Sequence, residues 1–258
     1  MSGSASQPEE VKGGVFTVTG EQGLTIKEQL ANPNNYGGKR TADQIRYLVI
    51  HYTGNDGDNA ANNAAYFQRT VVQASAHYFV DDTAIYRSVP ELCAAWAVGG
   101  KKYADAEQTG GGTMYHIVTN ANSISVELCD TVQDGTYQAT EATLENAFAL
   151  CRELMAKYQI PLENVCRHFD VTGKRCPSYF VDPEKWAEFK RRLEVWKTMD
   201  NNPSPVHKEG VEWALKEGIL LGDDSGDLML HQGLTREQFC TMLKRWSDQM
   251  ERGAPAAP

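Results

Sequence analysis

The run IRYLVIHY (Ile45 to Tyr52) constrains this chain more than any other stretch. Its centre is apolar and includes β-branched Val49 and Ile50, without the polar alternation of a strand that faces water on one side. Such a strand is buried on both faces, so other parts of the chain must cover its sheet above and below. SISVELC (Ser123 to Cys129) alternates strictly, with Ile124, Val126 and Leu128 on one face and Ser123, Ser125 and Glu127 on the other. SAHYFVDDTAIYRSV reads as a hairpin turning at Asp81–Asp82, and VFTVTG as a short strand. The covering helices are legible too. Ala60 to Thr70, preceded by Asn59, has helical spacing, with Asn and Asp available for capping. Thr140 to Tyr158 is an amphipathic helix opened by Thr140 or Thr143, and Asp182 to Met199 is a second one with Pro183 in its first turn. NPNNYGGKR (Asn32 to Arg40) reads as turn-rich loop. Strands interspersed with helices predict an α/β domain with a mixed central β-sheet flanked by helices.

The pattern breaks at MDNNPSPVHKEG (Met199 to Gly210), which has two prolines, two asparagines and no apolar period. The expected organisation is a flexible leader over 1–13, a main domain over 14–198, a linker over 199–208, a small helical module over 209–248 and a disordered tail over 249–258. Net charge is −9 and no Lys/Arg block exceeds a few residues, which argues against a nucleic acid as partner. No apolar run is long enough to span a membrane, and no membrane partner is expected. The N-terminal MSGSASQPEEVKGG lacks the charged-then-apolar order of a signal peptide, so a start in a cytoplasm is expected. The six cysteines show no CxxC and no paired framework, which predicts mostly buried thiols. Nothing in the sequence speaks to oligomeric state.

In VCRHFDVTGKRCPSYF (Val165 to Phe180), His168 and Cys176 stand eight residues apart, with Gly173, Lys174 and Pro177 around them. His51 directly follows the apolar strand, where a rigid sheet fixes the direction of a ligand. Glu127 is a carboxylate on a strand whose other face is core. Three ligands with an open fourth position, a base and a nearby cation are what a zinc hydrolase needs. Each residue type also has an ordinary role: a hydrogen-bonded boundary histidine, a buried thiol, a solvated glutamate or lysine. His77 reads equally as pocket wall, hydrogen-bonding support for a ligand, or satisfied core histidine. Spacing alone does not show convergence.

NPNNYGGKR, IRYLVIHYTGN, NNAAYFQ, SAHYFVDD, SISVELC and RHFDVTGKRCPSYF, in this order over about residues 25 to 195, resemble the type-2 N-acetylmuramoyl-L-alanine amidases. That family includes phage endolysins and shares its fold with peptidoglycan recognition proteins. The resemblance implies one Zn2+ held by His51, His168 and Cys176. It implies that Glu127 acts as general base and then acid, and that Lys174 stabilises the tetrahedral intermediate. The reaction implied is hydrolysis of the amide between N-acetylmuramic acid and L-alanine in bacterial peptidoglycan. One branch of the family places a tyrosine where this chain has Ala76, which leaves the proton transfer to Glu127. AWAVGG (Ala95 to Gly100) lacks the histidine that relatives often carry after the tryptophan; His77 and Trp96 are candidates for the substrate pocket.

The segment VEWALKEGILLGDDSGDLMLHQGLTREQFCTMLKRW resembles one S-layer-homology module, which implies binding of secondary cell-wall polysaccharide with Trp213 and Arg236 as pocket candidates. A small helical appendage or dimerisation unit with Trp213 in its core is the alternative. Asp223, Asp224 and Asp227 lack the twelve-residue calcium-loop pattern. The reading that follows is a phage endolysin made in the host cytoplasm and acting on a Gram-positive wall. The rivals are a bacterial autolysin of the same chemistry, a non-catalytic peptidoglycan-recognition module, and a purely structural zinc site.

Overall fold

In the strand Tyr47–Asp56, successive side chains alternate between the two faces of a sheet, so Leu48 and Ile50 lie on one side and Val49 and His51 on the other. All four are buried. The chain is described here by a computed structural model covering residues 16–19, 25–195, 202–222, 228, 230 and 234–253. It divides into two compact units, Met1–Leu193 and Glu194–Pro258. The strands in chain order are β1 (Phe16–Thr19), β2 (Thr25–Glu28), β3 (Tyr36–Lys39), β4 (Tyr47–Asp56), β5 (Tyr78–Val80), β6 (Ile85–Arg87), β7 (Cys93–Ala95), β8 (Ser123–Gln133), β9 (Thr136–Gln138) and β10 (Val165–Arg167). The helices are α1 (Ala60–Arg69), α2 (Ala106–Thr109), α3 (Glu141–Tyr158), α4 (His168–Thr172), α5 (Pro183–Val195), α6 (Lys208–Lys216) and α7 (Arg236–Gly253).

The main sheet runs β1-β2-β6-β5-β8-β4-β10, with β9 on β8. Its centre is parallel: β5 with β8, β8 with β4 and β4 with β10. The β5–β6 and β1–β2 pairs are antiparallel, so the sheet is mixed. Helices α3 and α5 cover one face. Phe148, Leu150 and Leu154 of α3 and Trp186, Phe189 and Leu193 of α5 pack with Leu48, Ile50, Ile124, Val126 and Leu128 in one core. On the opposite face Val49 and Cys166 meet Val98, Val118 and Val171, while Phe79 and Cys129 meet Ala60 and Ala64 of α1.

Helices α1 and α3 each take one of their candidate caps. Asn59 accepts from the Asn62 amide at 2.8 Å and Thr140 from the Thr143 amide at 3.1 Å. The hairpin turn is held by Asp81, whose carboxylate accepts from the Thr83 and Ala84 amides and, across to α1, from the Ala60 amide. Two expectations change. NPNNYGGKR is not all loop, because Tyr36–Lys39 pairs antiparallel with β7. VCRHFDVTGKRCPSYF, which shows no period, contains β10 and the five-residue α4 back to back. Elements this short leave no periodicity to read. The polar side of SISVELC is also covered, with Ser123 and Ser125 each 1% exposed.

In the second unit, α6 is followed by Gly218 at φ +65, and α7 starts with a reciprocal cap. The Thr235 hydroxyl accepts from the Gln238 amide at 3.1 Å, and the Gln238 side chain accepts from the Thr235 amide at 2.9 Å. Arg245 and Gln249 of α7 donate to the carbonyls of Ile219 and Glu217. The expected leader, the last residues of the expected α5 helix and of the tail, the start of the linker, and Asp223, Asp224 and Asp227 lie outside the described residues. Among the described residues no helix is long and apolar enough to cross a membrane.

Phe148 is 1% exposed, with its ring 4.8 Å from Phe189. Phe148→Ala therefore removes a large aromatic from the α3–α5 core, and urea unfolding of the variant is expected to show a loss of about 3–5 kcal/mol.

Candidate metal centre

The register of the parallel strands does the first part of the assembly. His51 of β4 stands directly beside Glu127 of β8, and Glu127 beside Phe79 of β5. On the other side Arg167 of β10 pairs with Ile50, so His168, the next residue, arrives level with His51. In-register neighbours of a parallel pair share a face, so His51 and Glu127 both face away from the α3–α5 core. His51 and Glu127 lie midway along β4 and β8, and His168 directly follows the last residue of β10.

The second part is the tract after β10. Arg167 is 8% exposed and clamps this tract from within. Its guanidinium donates to both oxygens of Asp170, at 3.0 and 2.6 Å, and to the Phe180 carbonyl, and it stacks 5.2 Å from the Trp186 ring. The Phe169 amide donates to the Cys176 carbonyl at 2.9 Å, closing the loop that returns the cysteine to the histidine. Gly173 makes the reversal at φ +84, and a Cβ there would lie 2.5 Å from the Ala106 Cβ.

His51, His168 and Cys176 consequently meet, with their donor atoms all within 4.8 Å of one another. They are 1%, 7% and 2% exposed. Cys176 Sγ is 3.9 Å from His51 Nδ1, and the two imidazole centroids are 4.7 Å apart. Metal–ligand lengths of about 2.0–2.1 Å for nitrogen and 2.3 Å for sulfur at a tetrahedral angle require donors about 3.6 Å apart. Cys176 Sγ and His51 Nδ1 at 3.9 Å stand near that spacing, and no pair of the three donors is more than 4.8 Å apart. His51 Nε2, His168 Nδ1 and Glu127 Oε2 are buried without a hydrogen-bond partner among the described residues, although buried polar atoms are ordinarily satisfied. Among the described residues no fourth protein ligand joins the three, which leaves one position open on a tetrahedral ion and disfavours a closed structural site. The residues fit a zinc ion.

Glu127 lies beside this cluster, its Oε1 3.8 Å from His51 Nδ1. Burial lifts its pKa to about 8; Lys174 acts downward, and Asp130 and Asp58 upward. Burial, with help from Lys174, holds His168 at about 4, and burial followed by His168 and Lys174 holds His51 well below the usual histidine value. Both imidazoles are thus kept neutral, as metal ligation demands. Burial and then Glu127 push the Cys176 thiol upward, so a thiolate at this position would need a cation beside it.

The remaining predicted residues fall elsewhere. His77 is 0% exposed and presents no surface to a ligand. Its Nδ1 accepts from the Ser125 amide at 3.0 Å, and its Nε2 lies 3.0 Å from the Cys93 carbonyl and 2.9 Å from Arg40. It is the satisfied core histidine, bracing β8 two residues before Glu127. Trp96 is 36% exposed, with its indole nitrogen against Gly37. In the second unit Trp213 is 51% exposed on α6, and Arg236 opens α7. Among the described residues no hydrogen bond, ion pair or ring contact joins these two. Spacing alone did not point to Arg40, which binds the carbonyls of Glu91, Asn120 and Ser123, nor to Arg167. Arg167 did leave one local signal, the i,i+3 partner Asp170.

The family profile of N-acetylmuramoyl-L-alanine amidase (Amidase_2) matches residues 41–179, more than half of the 258 residues. The N-acetylmuramoyl-L-alanine amidase BlyA of Bacillus subtilis is 32% identical over 155 residues, covering 58% of this chain and 41% of BlyA. XlyB of the same species is 29% identical over 204 residues, 77% of this chain and 58% of XlyB. The chain thus matches well under two thirds of the length of these curated relatives. Among solved structures, the catalytic domain of XlyA superposes with a TM-score of 0.51 at 28% identity, covering 66% of this chain and 99% of that domain. The PlyG catalytic domain gives 0.53 at 28%, covering 70% and 100%.

Two outcomes follow from this geometry. Gly173→Ala forces a left-handed residue and a clash with Ala106, and differential scanning calorimetry is expected to show a loss of about 1–3 kcal/mol. His77 is held at about 3, first by burial and then by Arg40, with Glu91 and the Cys93 carbonyl acting the other way. The folded state keeps it neutral while the unfolded chain protonates it below about pH 6.5, so its contribution is intact above that pH and is lost as pH falls towards 3. Between pH 6 and 4.5, unfolding free energy should fall more steeply in the wild type than in His77→Gln, by on the order of 1 kcal/mol per pH unit.

Proposed function

The chain belongs to the N-acetylmuramoyl-L-alanine amidase family, and from that premise we propose that it hydrolyses the amide joining N-acetylmuramic acid to L-alanine in bacterial peptidoglycan, with one zinc ion held by His51, His168 and Cys176. The observation that carries this reading is the meeting of those three buried donors beside a half-buried carboxylate, with no fourth protein ligand among the described residues. Zinc, when bound, supplies a Lewis acid that makes water nucleophilic near neutral pH and polarises the carbonyl.

The chain's own residues supply the rest. Glu127, fixed by the β4–β8 register, accepts a proton from the attacking water as the new O–C bond forms at the lactyl carbonyl. It returns that proton to the alanine nitrogen as the C–N bond breaks. The products are a lactyl carboxylate on the sugar and a peptide with a free L-alanine amine. The Lys174 ammonium lies close enough to lower the pKa of Glu127 and of both histidines. The same proximity lets it stabilise the negative charge that develops on the carbonyl oxygen. Asp58 and Asp130 act on Glu127 in the opposite sense, holding its proton affinity up.

For the second unit we propose a wall-anchoring role through its S-layer-homology resemblance, with Trp213 and Arg236 receiving an anionic secondary wall polysaccharide. An arginine and an exposed aromatic are the residue types that suit an anionic sugar. The corresponding biological role is that of a phage endolysin acting on the wall of its host; a bacterial autolysin uses the same chemistry.

The test combines metal content and product analysis on purified Gram-positive peptidoglycan. Wild type is expected to hold about one zinc per chain and to release new L-alanine amino termini, seen by mass spectrometry; Cys176→Ser should lose both. Glu127→Ala should keep zinc and fold while turnover drops by roughly 10²–10⁴-fold. Zinc binding without new amino termini in the wild type would make this chain a peptidoglycan-binding module and remove the roles of Glu127 and Lys174.

A further inference from the structure

A cavity of about 570 Å³ opens beside the donor cluster, and its charge is opposite to that of the chain as a whole. The protein carries a net charge of −9. This cavity is lined by Lys101, Lys102 and Lys174 and by no carboxylate, with His168 in one wall and Tyr103 in the other. Lysine ammonium groups are positive at neutral pH, and clefts lined by one sign of charge concentrate ligands of the other.

The lysine-bearing wall is fixed relative to the donor cluster. The Tyr103 amide donates to the carbonyl of Thr172, the last residue of α4, at 2.8 Å. On the far side the Tyr115 hydroxyl donates to the Gly100 carbonyl at 3.0 Å. The stem of Lys102 runs against Gly112, where an added Cβ would meet Lys102 Cε at 2.7 Å. Lys102 Nζ does pair with Glu107 at 3.6 Å, but that carboxylate is 87% exposed. An ion pair so open to water is weak and leaves most of the lysine's field available. Lys101 is exposed at the rim. The charge is therefore held by pinned backbone, a few residues from the reacting position, rather than scattered on a mobile surface.

We propose that Lys101 and Lys102 are specificity-determining residues that select a stem peptide bearing a free carboxylate close to the scissile amide. This rests on the amidase reading above and adds a substrate preference to it. With the scissile carbonyl near Glu127 and Lys174, the cavity beyond His168 has room for the residues that follow L-alanine. A carboxylate there pairs with two ammonium groups in a partly walled groove, whereas the corresponding carboxamide gains no ionic term.

The experiment uses two N-acetylmuramoyl pentapeptides that differ only at the second residue, which carries either a free α-carboxylate or its carboxamide. The zinc-loaded full chain is expected to favour the carboxylate peptide by about 5- to 30-fold in kcat/KM, mostly through KM. The preference should shrink as ionic strength rises from about 0.05 to 0.5 M. Lys101→Gln/Lys102→Gln should abolish the preference by lowering kcat/KM for the carboxylate peptide alone. Because the Lys102 stem packs on Gly112, Lys101→Gln by itself is the second variant and should lose part of the preference; circular dichroism checks that both fold. Equal kcat/KM for the two peptides in the wild type, or a preference that survives in the double variant, overturns the proposal. Should the wild type cleave neither peptide, the amidase reading fails instead. Calorimetric binding of the same two peptides then decides the lysine proposal: tighter binding of the carboxylate form, lost in the double variant, upholds it, and equal binding overturns it.

Discussion

The parallel register of β8, β4 and β10 is the constraint on which the site depends. It sets Glu127 beside His51 and brings His168 in one residue after the Arg167–Ile50 pair. A slip of one residue in either pairing would turn the polar side chain of that strand towards the α3–α5 core. The same slip would take Leu48 and Ile50, or Ile124 and Val126, out of that core. Core packing and ligand placement are thus two faces of one pairing, and the apolar face enforces the polar one. The direction of a histidine within a buried strand is thereby settled by the residues on either side of it.

The sheet supplies only half of the donor set. Cys176 reaches the others through a loop too short to have a core of its own. That loop is ordered by a buried arginine, a left-handed glycine and one backbone hydrogen bond from Phe169 to Cys176. Arg167 is costly to bury, and Asp170, the Phe180 carbonyl and the Trp186 ring all meet its guanidinium there. Arg40 plays the corresponding role on the other side of β8, tying Glu91, Asn120 and Ser123 to one guanidinium. Two buried arginines therefore brace the strands and loops around a cluster of neutral imidazoles and a thiol.

The electrostatics are local rather than global. A net charge of −9 describes the surface a large polyanion would meet, yet the cavity beside His168 is cationic. Glu127 feels both: Lys174 favours its ionised form, while burial, Asp130 and Asp58 favour its protonated form.

By itself the sequence determined the strands long enough to show a period, the helices with candidate caps at Asn59 and at Thr140 or Thr143, and the chemical identity of the candidate donors. Those signals are local, since alternation, amphipathic spacing and capping are all read within a few residues. The tertiary structure alone decided that His51 and Cys176, 125 positions apart, come within 3.9 Å. It also decided that His77 is a buried brace and not a pocket wall, that NPNNYGGKR contributes a strand to a small second sheet, and that three lysines share one cavity with His168. The physical reason is common to all four. Strand register, burial and the shifted proton affinities that follow from burial are set by partners distant in the chain, and no window of sequence contains both members of such a pair.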